Sequence, residues 1–280
     1  MRQFIVEKAP DSKGLVTVAG KDYRYLRQVL RVKPGDMISL RLPDGSLENS
    51  TVCLVDEKLK KVILQICAGT DGGTTAVSLA SSGASVTRGV QAGQIENSTQ
   101  LTGKDGVEYW LFQFIPKPVK FEQIVRQAVE CGVKHIVPVI GEYSEKSSIQ
   151  ALQNSKKERL ERIVREARQQ SGSPVNSEVH QPVTLKEAVD LWLENYDASV
   201  CSGFVLSERE CVDGSIRDVL CKKDKIQRIC IACGSEGGIS PDEVDFLLKK
   251  ALFNPVHFSV NILRCETAAL YGIAAVQTAV

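Results

Sequence analysis

A glycine-rich segment between an apolar strand and a well-marked helix start carries the strongest chemical signal in the chain. The segment reads CGSEGGISPDE, residues 233–243. Ser240, Pro241 and Glu243 are the residue types expected at an N-cap, at the first helical position and as the capping-box partner. The glycines before them let the backbone approach a ligand closely. Because ligands of parallel α/β sheets bind where strands end, the segment predicts a binding loop.

The residues of the loop are compatible with more than one type of ligand. A phosphate could bind at the N-terminus of the helix. The loop nevertheless lacks the Lys and Ser/Thr of a Walker loop, and its glycines do not follow the GxGxxG pattern. An adenosine-type ligand held by backbone groups therefore fits it better. The alternative interpretation, a tight strand-to-helix turn that binds no ligand, stays open.

A second cluster of charged and polar residues follows at NILRCETAAL, residues 261–270. An apolar strand end leads there into a helix start that carries Arg264, Glu266 and Thr267. By themselves these residues are also typical of a capped helix with a surface ion pair. The combination of this motif with the glycine-rich loop is far more specific than either part.

The nine cysteines are odd in number and spread over the chain, which is typical of reduced, buried thiols in a cytosolic protein. The one CxxC pair, Cys230 and Cys233, lies in an apolar strand, where positions three apart point to opposite faces. Such a pair does not easily chelate one metal or close a disulfide. His135, His180 and His257 are far apart in sequence. The sequence thus predicts no metal site.

Three regions of the chain differ in composition and pattern. Residues 1–70 alternate apolar and polar residues between short turns, which indicates a small closed β-barrel. Residues 71–107 are rich in Gly, Ser and Thr and indicate a linker or surface insertion. Residues 108–280 alternate strands and helices, which predicts an α/β domain with a mostly parallel sheet and helices on both faces.

The charge and hydropathy patterns limit the class of protein. The formal net charge of +1 gives no global signal for nucleic acid, so RNA binding would need a local basic patch. No secretory signal and no stretch of the roughly 20 apolar residues of a membrane span are found, so a soluble, cytoplasmic protein is expected. Solvated helix faces are the alternative for local basic runs. The candidate RNA-binding residues are Arg24, Arg27, Arg31, Arg162, Arg165 and Arg168.

The glycine-rich loop and the second motif together resemble those of the RsmE family, the SPOUT-superfamily enzymes that methylate uracil N3 in 16S ribosomal RNA. The family's usual forms of these motifs are GPEGG and ILR-x-ETA. Residues 158–172, ending in QQSG before Pro174, resemble the family's helix ending in EQS-G-R. VLRVKPGD, residues 29–36, resembles the VLR…GD signature of its RNA-binding β-domain.

The resemblance implies a PUA-like β-barrel followed by a SPOUT α/β domain with a trefoil knot. It also implies S-adenosylmethionine as cofactor and small-subunit ribosomal RNA as partner. Arg264 is expected to stabilise the anion that develops at uracil N3, and Glu236 to organise the loops of the catalytic site. The implied cofactor-binding residues are Leu206, Gly234, Glu236, Gly237, Ile262, Leu263 and Thr267.

A homodimer is expected as well, because SPOUT enzymes complete their site across the subunit interface. The closing helix gives limited support for this expectation, since small residues along it permit close packing. The residues that share its expected contact face are Leu270, Ile273, Ala274 and Gln277.

The chain departs from the family's pattern on the RNA and catalytic side. Ser235 replaces the proline before Glu236, and Ser173 and Asn261 replace arginines. A non-catalytic RNA-binding factor for ribosome assembly, built on the same scaffold, is therefore the rival function. The other replacements are Gln169 for glutamate, Tyr25 for histidine and Lys146 for arginine.

Overall fold

The computed structural model divides the chain into two units, residues 4–99 and residues 1–3 with 100–280. The part of the predicted linker up to residue 105 lies outside the described residues, so the boundaries of the linker stay a prediction. The structure describes residues 3–67, 106–154, 157–194, 196–208 and 215–280.

The N-terminal sheet has five strands in the order β1-β3-β4-β5-β2. A short helix, α1 (Gly20–Arg24), continues as one π-helical turn to Val29. The strands are β1 (Gln3–Ile5), β2 (Leu15–Ala19), β3 (Met37–Arg41), β4 (Leu47–Asp56) and β5 (Lys61–Ile66).

This sheet curls into a half-barrel, so the predicted N-terminal β-barrel is confirmed as a curled sheet that does not close within the described strands. The antiparallel pairing of β4 with β5 shifts register between Val52 and Leu54, and such a bulge bends a sheet. Closure would need β1 to pair with β2, but these two strands form the two ends of the order. The concave core is apolar and includes the fully buried Leu26, Leu40 and Leu64.

The C-terminal sheet is parallel, with the order β12-β10-β11-β6-β7-β8 and β9 beside β7. The pattern of alternating strands and helices therefore predicted this sheet correctly. Its strands are β6 (Glu108–Phe114), β7 (His135–Ile140), β8 (Glu178–Val179), β9 (Val183–Thr184), β10 (Cys201–Leu206), β11 (Arg228–Cys233) and β12 (Phe253–Val256).

Helices cover both faces of this sheet, as predicted. One apolar cluster joins α2, α4, α6 and α8 to one face, and another joins α5 and α7 to the other. Cys230 and Cys233 of β11 belong to opposite clusters, so the CxxC pair is split as predicted. The helices are α2 (Pro118–Glu130), α3 (Lys146–Gln153), α4 (Lys157–Ser171), α5 (Leu185–Leu193), α6 (Ile216–Leu220), α7 (Pro241–Lys250) and α8 (Cys265–Ala279).

The mixed α/β fold class is thus confirmed, with a curled N-terminal sheet and a C-terminal parallel sheet. The trefoil knot implied by the family resemblance stays a prediction. None of the helices within the described residues is long and apolar enough to cross a membrane.

Candidate active site

The glycine-rich loop connects β11 to α7, and the start of that helix is fixed as the sequence predicted. The Ser240 hydroxyl accepts a hydrogen bond from the Glu243 backbone N–H at 3.4 Å, and the Glu243 carboxylate accepts one from the Ser240 N–H at 3.0 Å. The same carboxylate accepts the Glu142 N–H at 2.8 Å, in the segment after β7. Glu243 therefore holds two loops at the carboxyl edge of the sheet.

A cavity of about 600 Å³ lies at the carboxyl ends of β10, β11 and β12. One wall is the glycine-rich loop and another is the segment 257–265 before and at the start of α8. This is the position at which open α/β sheets bind their ligands, and the volume lies in the usual range for such sites. The predicted site residues that line the cavity are Leu206, Gly234, Glu236, Gly237, Ile262, Leu263 and Arg264.

Thr267 is not among the lining residues, although it was predicted to contact the cofactor. Its backbone N–H donates to the Arg264 carbonyl at 2.9 Å, inside the first turn of α8. The Thr267 side chain is exposed.

The glycines of the loop serve its own turn. A Cβ at Gly234 would lie 2.7 Å from the Gly238 carbonyl carbon, and Gly238 itself has a φ of 80°. A Cβ at Gly237 would lie 2.8 Å from Cβ of Tyr143, in the segment after β7. Glycine is therefore required at these positions by contacts within the protein, before any ligand is considered.

A charged network ties the loop to two helix starts. The Glu236 carboxylate accepts the Lys117 backbone N–H at 3.2 and 3.3 Å, and it lies 3.5 Å from the ammonium group of Lys120. Lys120 also lies 3.4 Å from the Glu266 carboxylate. The network therefore joins the glycine-rich loop, the start of α2 and the start of α8.

The neighbours of Lys120 and Glu266 shift the pKa values of both groups in the direction that favours their charged forms. Burial lowers the pKa of Lys120, but interactions with Cys265, Glu266 and Glu236 outweigh it and raise that pKa. Burial raises the pKa of Glu266, but hydrogen bonds from its own backbone, Cys265 and Lys120 lower it overall. Burial and the hydrogen bond to Glu266 raise the pKa of the Cys265 thiol to about 12. Cys265 is therefore a neutral thiol at physiological pH.

Arg264 differs from Lys120 because its charge is not used within the chain. It precedes α8, is exposed, and lines the cavity. Its guanidinium makes no hydrogen bond or ion pair with any part of the chain that the structure describes. A cation of this kind is available to an anionic group that enters the cavity.

Sequence reasoning missed three residues that build this site. Lys120 lines the cavity, Tyr143 packs on the glycine-rich loop, and the buried Gln113 donates to the Gly234 carbonyl at 2.9 Å. All three lie on or directly after β6 and β7. The rule that carboxyl ends of neighbouring parallel strands meet could have found Lys120.

The predicted RNA-binding arginines do not form one exposed set. Arg24 and Arg31 are exposed, whereas Arg27 donates to the Val32 carbonyl at 2.8 Å and to Glu57 at 2.6 Å. The structure therefore leaves two of these three guanidinium groups on the surface of the N-terminal unit.

The three candidate RNA-binding arginines of α4 are not all exposed. Arg162 is exposed and lies 3.8 Å from the Glu166 carboxylate, and Arg165 is half-buried. Arg168 is only 9% exposed and donates to the Asn176 side chain at 2.7 Å. The reason is geometric, because positions three apart drift around a helix of 3.6 residues per turn.

Known proteins are similar to this chain in both sequence and fold. The model of the RNA methyltransferase domain family matches residues 104–277, more than half of the chain. The ribosomal RNA small subunit methyltransferase E of Aquifex aeolicus is 32% identical over 62% of this chain and 69% of its own length. Ribosomal RNA small subunit methyltransferase E 2 of Borreliella burgdorferi is 24% identical over 98% and 96%.

A solved structure extends the similarity to the whole fold. It is that of a ribosomal RNA small subunit methyltransferase E from Neisseria gonorrhoeae bound to S-adenosyl methionine. The TM-score is 0.72 at 22% identity, over 99% of this chain and 97% of that one. The family match and the 32% identical relative show that the chain belongs to the family of RNA methyltransferases that includes ribosomal RNA small subunit methyltransferase E.

Proposed function

We propose that the chain transfers the methyl group of S-adenosylmethionine to small-subunit ribosomal RNA, at N3 of a uridine. The observation that carries the proposal is the cavity at the strand ends, with the unpaired Arg264 in its wall. The names of the curated relatives support ribosomal RNA as the substrate class. The choice of uracil N3 rests on the resemblance of the two loop motifs to the RsmE family.

The residues of the cavity fit S-adenosylmethionine. The volume of about 600 Å³ lies within the roughly 300–1,000 Å³ of small-ligand sites. Residues 234–238 and 261–264 line it, and Leu206, Ile239 and Val244 add apolar side chains that suit an adenine ring. When bound, the cofactor supplies an electrophilic methyl group on a sulfonium centre.

Arg264 is the residue proposed to act on the reacting base. Uracil N3 loses its proton to solvent, so negative charge develops on the base, and N3 then bonds to the methyl carbon as the bond from that carbon to the sulfonium sulfur breaks and leaves a neutral thioether. A fixed guanidinium beside that charge stabilises it more in the transition state than in the ground state. The cation is available for this task because no carboxylate of the described residues neutralises it.

Glu236 is proposed to position the loops, because its carboxylate is already held by the Lys117 N–H and by Lys120. Cys265 has no role as a nucleophile here, since burial raises its pKa to about 12 and keeps it a neutral thiol. The methyl group is therefore proposed to pass directly to the base, without a covalent link between the RNA and Cys265.

The RNA is proposed to present an unpaired or flipped uridine, because N3 of a paired uridine is blocked by its partner base. Exposed Arg24 and Arg31 on the N-terminal unit and Arg162 on α4 are the proposed contacts to phosphates. Arg168 is left out of this set because it is buried and bonded to Asn176.

The chain is also proposed to act as a homodimer, through a face of α8 that shares only Ala274 with the predicted one. Ile273 is fully buried in its own unit, and Gln277 donates to the Cys131 carbonyl at 2.7 Å. These two residues of the predicted contact face are therefore used within the chain. Tyr271, Ala274 and Thr278 are exposed at helical spacing on the same helix and form the surface proposed for the partner.

Mass spectrometry of nucleosides from 16S ribosomal RNA tests the function. RNA from cells that lack the protein is expected to lose one methylated uridine, and expression of the chain is expected to restore it. A variant of the cavity, Arg264→Ala, should not restore it at equal expression. If the modified nucleoside profile is the same with and without the protein, the non-catalytic assembly factor becomes the better description.

A further inference from the structure

Two histidines that are 45 positions apart in sequence meet at the amino ends of the parallel strands. His135 is the first residue of β7, and His180 follows β8, which pairs with β7 so that His135 is opposite Glu178. Nδ1 of His135 lies 3.0 Å from Nε2 of His180. A Glu178 carboxylate oxygen lies 4.0 Å from the same Nδ1. One potential ligand atom from each residue thus lies within 4.8 Å of the others.

The surroundings hold both imidazoles in place. The Trp110 ring centroid is 4.1 Å from that of His135 and 6.1 Å from that of His180. His135 is only 17% exposed at its side chain, whereas Glu178 is 63% exposed and free to rotate toward an ion. Two partly buried imidazoles thus lie beside an exposed carboxylate.

Two cations lie near the site, and each is also bonded to another group. Arg228 lies over the Trp110 ring, and its guanidinium lies 3.1 Å from the Glu108 carboxylate. Lys134 donates its ammonium proton to the Asn176 carbonyl at 2.9 Å. Glu178 supplies the negative charge that a divalent ion needs at this point.

An imidazole coordinates a metal through the lone pair of a ring nitrogen. The hydrogen bond between Nδ1 of His135 and Nε2 of His180 uses one ring proton. A shift of that proton to the other nitrogen of the same imidazole leaves both facing nitrogens with a lone pair for the ion.

We propose that His135, Glu178 and His180 form a binding site for a divalent transition-metal ion of the zinc class. Tetrahedral Zn–N bonds of about 2.0–2.1 Å place ligand nitrogens roughly 3.3 Å apart, close to the observed separation of 3.0 Å. Rotation of Glu178 supplies the third ligand, and water supplies the fourth. Two imidazoles and one carboxylate suit zinc, nickel or copper better than magnesium or calcium, which prefer oxygen ligands alone.

The ion would connect β7 to the segment after β8 and so stabilise this edge of the sheet. The site is at the amino ends of the strands, whereas the cavity with Arg264 is at their carboxyl ends. Metal binding is therefore independent of the proposed methyl transfer, and each can fail without the other.

Titration of the full-length, metal-free protein with zinc chloride by calorimetry tests the site. The parent should bind one zinc per chain at micromolar concentration. His180→Ala should weaken binding by ~100-fold or more, beyond the 10–100-fold typical for loss of an outer-shell partner. Glu178→Gln should weaken it less, by roughly 10-fold, because both nitrogens remain. His257→Ala is the matched control and should bind like the parent.

A second readout locates the ion. Nickel should quench the fluorescence of the parent, since the two tryptophans of the chain, Trp110 and Trp192, have ring centroids 5.9 Å apart beside the histidine pair. The quenching should be lost in His180→Ala and kept in His257→Ala. Exposed Cys53 and Cys221 are alkylated first, so that thiols do not compete for the metal.

The outcome that overturns the proposal is equally specific. Absence of zinc binding by the parent would overturn it, and so would equal binding by the parent and His180→Ala. Because a variant of a half-buried histidine can lose its fold, circular dichroism is recorded for each protein. Glu178→Gln changes an exposed side chain and still decides the question if His180→Ala is unfolded.

Discussion

At the residue level, Arg264 and Lys120 are both cations of the cavity wall, but their charges are engaged differently. Lys120 lies between the carboxylates of Glu236 and Glu266, whereas the Arg264 side chain has no partner in the described parts of the chain. A cation held by two carboxylates positions the segments that carry them. An unpaired cation is able to stabilise charge that arrives with a substrate.

Lys120→Met should therefore weaken cofactor binding without unfolding the protein. The ion pairs are partly exposed, so their loss should change the free energy of unfolding by less than about 1 kcal/mol. Affinity for S-adenosylmethionine should fall by roughly fivefold, since the loop loses one anchor. Calorimetric titration measures it, and Lys120→Arg should restore most of the affinity. Unchanged affinity in Lys120→Met would show that the loop holds its shape without this residue.

The residues that the sequence predicted best are those with local signals. Gly234, Gly237 and Arg264 belong to short motifs that can be recognised without knowledge of distant contacts, and all three line the cavity. Gln113 and the pairing of His135 with His180 were missed because these contacts join residues far apart in the chain. Only the alignment of parallel strands brings them together.

At the element level, the start of α7 was predictable because a capping box is written into four consecutive residues. By contrast, no local signal predicted that the helix after β2 ends in a π-helical turn, before Arg31 with its positive φ. The interpretation of Gly237 also changes at this level. It leaves room for Tyr143, so replacing it disturbs the loop itself and says little about ligand space.

Helix α4 allows RNA binding to be separated from stability. Arg162→Ala should weaken binding to ribosomal RNA and reduce the slope of log affinity against log salt by about one, because one phosphate contact is lost. Arg168→Ala should instead destabilise the protein, since it removes the bond to Asn176. Filter binding at several salt concentrations and urea unfolding measure the two effects. The same salt slope for Arg162→Ala and the parent would exclude Arg162 from the RNA contact.

At the level of the whole molecule, alternation of strands and helices predicted the parallel sheet, because each helix must bury its apolar face on the strands beside it. Closure of the N-terminal sheet was not predictable. It depends on whether the first and last strands of the order meet, and the local pattern of β1 and β2 carries no information about that.

The half-buried His135 should make the metal-free protein less stable in acid. Its pKa is lowered by burial from 6.5 to about 4 in the folded state, so the unfolded chain binds the proton more readily. The contribution of neutral His135 to the free energy of unfolding is therefore fully present above pH 6.5. It falls as the pH decreases toward 4, by up to about 3 kcal/mol. Urea unfolding at pH 7.5 and pH 5 measures this change. The change should be smaller in His135→Gln, and an equal change in both proteins would assign the effect to other groups.

Sedimentation should show a homodimer of the 30.7 kDa chain at micromolar concentration. Tyr271→Asp should shift the equilibrium toward monomer, because it places a charge on the exposed face of α8. Lys186→Asp, on the exposed surface of α5, is the control for a charge change elsewhere. A parent protein that sediments as a 30.7 kDa species contradicts the dimer.

Single-turnover transfer of a labelled methyl group from S-adenosylmethionine to 16S ribosomal RNA tests the central claim most directly. The parent should transfer the label to N3 of a uridine. Arg264→Ala should bind the cofactor and the RNA with nearly unchanged affinity but transfer the label ~100-fold more slowly, on the scale of losing one charge-stabilising donor. Arg126→Ala, an exposed arginine on α2, is the matched control and should transfer it at the parent rate. A parent that binds both ligands and transfers no label, or an Arg264→Ala variant as fast as the parent, would contradict the account.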